Sequence, residues 1–134
     1  MNYLAVVAAA IVSMVIGSIW YGPLFGKMFQ QAMGMDKWSP ERQAAEKKKM
    51  GKLYALQLAA SLVMFYVLAA FVDKTGALSM SGGIATAFWA WLGFAMPVQL
   101  GSAIWGGNMK LFYLAAGNML VTLLAAGAII GAWS

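Results

Sequence analysis

Residues 53–72 read LYALQLAASLVMFYVLAAFV, an unbroken apolar run closed by Lys52 on one side and Asp73 on the other. Crossing a hydrocarbon core of ~30 Å takes about 20 helical residues, and this run has that length. Strands of a membrane barrel would be ~10 residues long with strict alternation, which this run does not show. Three similar stretches flank it: about residues 3–25, 83–105 and 111–133, none with a charged side chain. Across the 134 residues, 63% are hydrophobic and 10% charged. A soluble domain runs nearer ~45–50% apolar and ~25% charged, so the solvent for most of this chain is lipid. The expected fold is an all-α integral membrane protein, a four-transmembrane-helix bundle forming one membrane domain over residues 1–134.

The residue types that are missing narrow the chemistry. There is no Cys, which excludes disulfides, thiolate metal sites and Cys nucleophiles. There is no His, the commonest general base and metal ligand. The acids are Asp36, Glu41, Glu46 and Asp73, and none lies inside a span. Intramembrane ionisable groups are the usual marks of pumps and proton-coupled carriers. No catalytic, metal or cofactor site is therefore expected, and an enzyme is not.

Topology follows from the loops. Lys27, Lys37, Arg42, Lys47, Lys48, Lys49 and Lys52 lie between the first two spans, while the next loop holds Lys74 beside Asp73. Lys110 sits in the short third loop. The positive-inside rule puts the first and third loops in the cytoplasm and both termini outside, in a multi-pass protein of the cell inner membrane. Met1-Asn2-Tyr3 lacks the basic n-region of a signal peptide, so the first span is expected to stay uncleaved.

Residues 26–52 form the polar, cytoplasmic segment. Ser39-Pro40-Glu41 reads as a helix start: a capping hydroxyl, a proline suited to the first position, and an acid complementing the dipole. Nothing then stops an amphipathic helical extension that stands ~20 Å out of the bilayer and runs into the second span. Lys47, Lys48, Lys49 and Lys52 fall where it meets the surface and are expected to contact anionic lipid headgroups. No folded reader or aromatic-basic platform accompanies them, so nucleic acid is not an expected partner. Upstream, Met28, Phe29, Ala32 and Met33 share a face of a short interfacial helix that Gly34 can end.

Inside the spans the polar residues are mild: Ser13, Ser18, Gln57, Ser61, Thr86, Gln99, Ser102, Asn118 and Thr122. The amides of Gln57, Gln99 and Asn118 are expected to hydrogen-bond between helices, with a pocket or pore lining as the alternative. Small residues recur at four-residue spacing, as Ala5, Ala9, Ser13 and Gly17 in span one and Gly127 and Gly131 in span four. Such ridges let backbones approach closely, either within the bundle or in a homo-oligomer, of which a dimer is the favoured form. In span three, Pro97 lacks the N–H that would bond Gly93, so a helix kink of more than ~20° is expected there.

The most distinctive stretch is Gly17-Ser18-Ile19-Trp20-Tyr21-Gly22-Pro23-Leu24-Phe25-Gly26-Lys27, followed much later by Trp105-Gly106-Gly107-Asn108 and Leu111-Phe112. Together they resemble the bacterial family of small four-span membrane proteins catalogued as domain of unknown function 1761. The resemblance extends over nearly the whole chain and implies the four-span fold, with no activity attached. Both motifs lie at the same interface in the topology above, where Pro23 should break span one at Gly22. A site on that face would draw on Trp20, Tyr21, Pro23, Lys27, Trp105, Asn108 and Lys110. The bland role for these residues is an interfacial anchor and a tight turn.

The leading expectation is a non-enzymatic membrane protein acting by self-association or by binding lipid or a membrane partner. The alternative is an oligomeric small-solute transporter or channel without a proton-coupling acid. Reporter fusions or introduced cysteines should find residues 40–50 and Asn108 in the cytoplasm and Ser79 outside. A lysine run labelled from outside would reverse the orientation.

Overall fold

A computed structural model describes residues 2–76 and 78–133. The described residues form six α-helices and no strand: α1 (Tyr3–Ile19), α2 (Gly26–Met33), α3 (Pro40–Thr75), α4 (Met80–Ala90), α5 (Met96–Gly106) and α6 (Met109–Ala132). A π turn over Trp20–Leu24 prolongs α1, and a second over Trp91–Ala95 joins α4 to α5. Four helical stretches are long and apolar enough to cross a membrane: Tyr3–Leu24, Pro40–Thr75, Met80–Gly106 and Met109–Ala132. The expected all-α, four-span architecture is what the chain adopts.

Short polar side chains set the helix starts. Asn2 Oδ1 accepts from the Leu4 and Ala5 amides, and its Nδ2 donates to Trp133 O at 2.9 Å, tying the two ends together. Ser39 Oγ accepts from the Arg42 amide at 3.2 Å, and Pro40 occupies the first turn of α3. That helix then continues for 36 residues, so the polar stretch and the second span are one rod. Gly34 and Gly107 end α2 and α5 with φ of +72°, a left-handed conformation open to glycine at little cost.

The core is built on α6, which packs against every other helix. Ala5, Ala9 and Ala10 of α1 meet Phe65, Leu68 and Val72 of α3, with Ala87 of α4 and Leu123, Ala126 and Ile130 of α6. The closest approach is between α4 and α6. A Cβ on Gly127 would overlap the Gly83 carbonyl and lie 2.8 Å from Ala87 Cβ; one on Gly131 would strike the Ser79 carbonyl and lie 3.0 Å from Gly83 Cα. The small ridge of span four is thus occupied within one chain. Ala9 is likewise buried in the core, whereas Ser13 and Gly17 border a cavity described below.

Pro23 lies within the first π turn, and Pro97 follows the second by two residues. Span one does not break at Gly22: it passes through Pro23 and ends at Phe25, whose N–H donates five residues back to Trp20 O at 2.9 Å. The wider turn takes up the missing proline N–H and relieves the clash of its ring with the preceding turn. Ahead of Pro97, Met96 N–H likewise reaches back to Trp91 O. The expected defect in span three is therefore met by an added residue in the helical turn.

The α4–α6 contact gives a stability test. Gly127→Ala should lower the stability of the detergent-solubilised protein by about 1–3 kcal/mol through overpacking. Gly17→Ala, whose new Cβ would meet nothing within 4 Å, should leave stability unchanged or raise it by up to ~1 kcal/mol. Unfolding titrations of the two variants check both.

Candidate intramembrane cavity

Away from the glycine crossing the helices separate. Residues 51–60 of α3 are all exposed, so this stretch does not close against its neighbours. Between it and α1, α5 and α6 lies a cavity of about 650 Å³. Phe29 and Gln30 of α2, together with Met35, line its outer end, and it reaches inward to Ser61, Met64, Gln99, Asn118 and Thr122. Its size falls within the ~300–1,000 Å³ range of ordinary ligand sites.

Seven of the nine mild polar residues noted in the spans line this one space: Ser13, Ser18, Gln57, Ser61, Gln99, Asn118 and Thr122. Thr86 and Ser102 do not. Ser13 and Ser18 donate back to Ala10 O and Met14 O of their own helix, and Gln57 Nε2 donates to Ser61 Oγ at 3.4 Å. The remaining three are different. Gln99 Oε1, Asn118 Oδ1 and Thr122 Oγ1 are buried with no hydrogen-bond partner. The expected interhelical amide bonds are therefore not what these side chains make: they face the cavity. A buried polar atom left unpaired costs about 1–3 kcal/mol, so the cavity presents three atoms to whatever donates or accepts there.

The walls are positioned by two tryptophans with parallel roles. Trp20 opens the first π turn, and its indole N–H donates to Leu114 O at 3.0 Å. Trp91 opens the second, and its indole N–H donates to Ala116 O, also at 3.0 Å. Each fixes its span onto the same turn of α6, just before Asn118. Gly117 leaves room for the first: a Cβ there would lie 2.9 Å from Trp20 Cζ2. Below Trp20, Phe25 packs at 4.7 Å between ring centroids, and Tyr21 pairs with Phe29 at the same distance. Gly26 lets the chain turn into α2, since a Cβ would come within 3.1 Å of Tyr21 O. Asn108 ties α2 to α6: its Oδ1 accepts from the Leu111 amide, and its Nδ2 donates to Ala32 O at 2.8 Å.

The interfacial residues singled out from sequence thus divide. Trp20, Tyr21 and Asn108 hold the cavity end of the bundle together, and Tyr21 also lines the cavity. Pro23 shapes the π turn but is exposed, as are Lys27 and Lys110. Trp105 is 92% exposed and joins none of them. Lys47, Lys48, Lys49 and Lys52 are exposed on the projecting part of α3. From sequence, the strut role of Trp91 is not visible, and a pocket lined by Gln99 and Asn118 stands only as the alternative to interhelical bonding, with Thr122 not placed beside them. The available signal was the four-residue spacing of Gln57 with Ser61 and of Asn118 with Thr122, which puts each pair on one helix face.

Residues 4–131 match the family described as "Protein of unknown function (DUF1761)". The chain belongs to that family. No curated protein and no solved structure matches it. For this DUF1761 member, the cavity and its two tryptophan struts are thus defined by the chain's own geometry.

The struts lead to a direct comparison. Trp20→Phe keeps the aromatic packing but removes the donor to Leu114 O, and should lower stability by about 1 kcal/mol. Trp105→Phe should have no measurable effect on the same unfolding curve.

Proposed function

We propose that the chain is a non-enzymatic inner-membrane protein that binds a small molecule or lipid component inside its bundle. One observation carries this: Gln99, Asn118 and Thr122 bring three unpaired polar atoms into one cavity of ligand size. A bundle needing only to be stable would fill that space with apolar side chains, which pack at no such penalty. The cavity offers amides and hydroxyls but no acid, base or thiol, which suits binding and supplies little for catalysis. In the proposed orientation both termini face outward, the cavity mouth faces the cytoplasm, and Lys47, Lys48, Lys49 and Lys52 lie against anionic headgroups. A homodimer, in the same proposal, would form through a face other than the glycine ridge of α6, which α4 already covers.

The test is retention. Organic extracts of the purified wild type should yield about one small molecule per chain, lost in Asn118→Leu. Equal yields from the two proteins would sink the proposal.

A specific feature also favours a carrier: the polar cavity runs from Phe29 and Met35 at one end of the bundle inward to Ser61, Gln99 and Thr122, short of the Gly83–Gly127–Gly131 contact. Since the native chain has no cysteine, Ser61→Cys can separate the two roles. A binding protein should expose that thiol to impermeant reagents from one side only, and a carrier from both.

A further inference from the structure

The polar cavity has a neighbour. Its inner end shares Met64, Gln99 and Met119 with a second space of about 550 Å³, lined almost wholly by apolar side chains of α3, the second π turn, α5 and α6. The floor of this groove is Leu68 and Leu123, both buried. Its rim includes Phe94 and Val98, each 70% exposed, so it opens sideways, where the bilayer hydrocarbon would lie. Gln99 stands at the junction, with one end of its amide unpaired. Thr122, its hydroxyl also unpaired, is 6% exposed.

We propose that the two chambers together hold one single-chain lipid with an uncharged, hydroxyl-bearing head. The head pairs with Gln99, Asn118 and Thr122, and the chain lies in the groove between α3 and α4–α5. This rests on the cavity being a ligand site and adds the class of ligand and its route of entry.

Each part of the description follows from the lining. No Asp, Glu, Lys or Arg borders either chamber, so an anionic or zwitterionic head would be desolvated without a counter-charge. A molecule with no polar head would leave the three buried atoms as unpaired as before. Hydroxyl groups suit them because each both donates and accepts, and so pairs with either end of an amide. A wholly water-soluble solute would occupy the polar chamber and leave the groove unused. A second acyl chain would have no apolar chamber to enter. Lateral entry from the bilayer avoids carrying the chain through water, consistent with a groove that opens on the lipid side.

The experiment is a titration of the full-length protein in detergent, followed by native mass spectrometry. The probes are 1-monooleoylglycerol, oleate and 1-oleoyl-lysophosphatidylcholine, which share a chain and differ in head charge. Monooleoylglycerol should saturate at one per chain, with the other two at least tenfold weaker. Thr122→Val, which keeps the shape of the side chain, should weaken monooleoylglycerol about tenfold. Ala90→Phe, which narrows the groove without touching the polar chamber, should do likewise; each variant is first checked for unchanged thermal unfolding. Equal uptake of all three probes would overturn the proposal, as would binding indifferent to both substitutions. If monooleoylglycerol fails while glycerol slows thiol labelling of Ser61→Cys, the lipid assignment falls and the cavity remains a site for a small solute. If neither probe binds and the wild type yields no extractable molecule, the binding function itself falls.

Discussion

The close contact of α4 with α6 at Gly83, Gly127 and Gly131 sets the shape of the whole bundle. In lipid, apolar side chains gain nothing by leaving solvent for one another, so helices associate through close packing and interhelical hydrogen bonds. Glycines permit that packing at one end only. Toward the other end the helices carry Trp20, Trp91, Gln99 and Asn118, side chains too large for backbone contact. The bundle is therefore tight where it is glycine-rich and open where it is amide- and indole-rich. Its two tryptophans brace the open end against α6 and keep it from collapsing.

Much of this was legible in the sequence. Charge-free runs of about 20 residues allow only one class of structure in lipid, because every backbone polar group must be satisfied within its own helix. Ser39-Pro40 marked the start of α3, and Gly34 the end of α2, because capping is a local property. The cavity was harder to read. Whether Asn118 pairs with another helix or faces a space depends on where Gln99 arrives from a different span, and no local pattern encodes that. The glycine ridge was legible as a contact surface, but its partner was not: Gly127 is equally small whether it meets α4 or a second chain. The missing N–H of Pro23 and its bias of Gly22 away from helix predict a break in span one, yet a π turn accommodates both.

The polar content of the spans is low, but its placement is concentrated. Ser13, Ser18, Gln57, Ser61, Gln99, Asn118 and Thr122 come from four different helices and border one space. Their neighbours include Met14, Met50, Met64 and Met119, flexible side chains that adapt to irregular contents. Uncharged hydrogen-bonding groups next to pliable apolar ones form a surface suited to a molecule that is itself part polar and part hydrocarbon. A strongly charged solute would find no counter-charge there.

The π turn over Trp91–Ala95 has a geometric consequence for everything after it. Such a turn holds one residue more than an α-helical path between the same flanks, and one residue corresponds to ~100° of rotation about the axis. The azimuth of α5, and with it the direction in which Gln99 points, is set by that single extra residue. Winding the same residues as an ordinary α-helical ladder would rotate α5 by about that angle and turn the Gln99 amide away from its place beside Asn118 and Thr122, whereas excising one residue would restore the ladder with the flanks left in phase. The π turn between Trp91 and Gln99 thus acts as a phase setting: the same side chains on an unbroken α-helix would describe a bundle whose polar groups no longer converge.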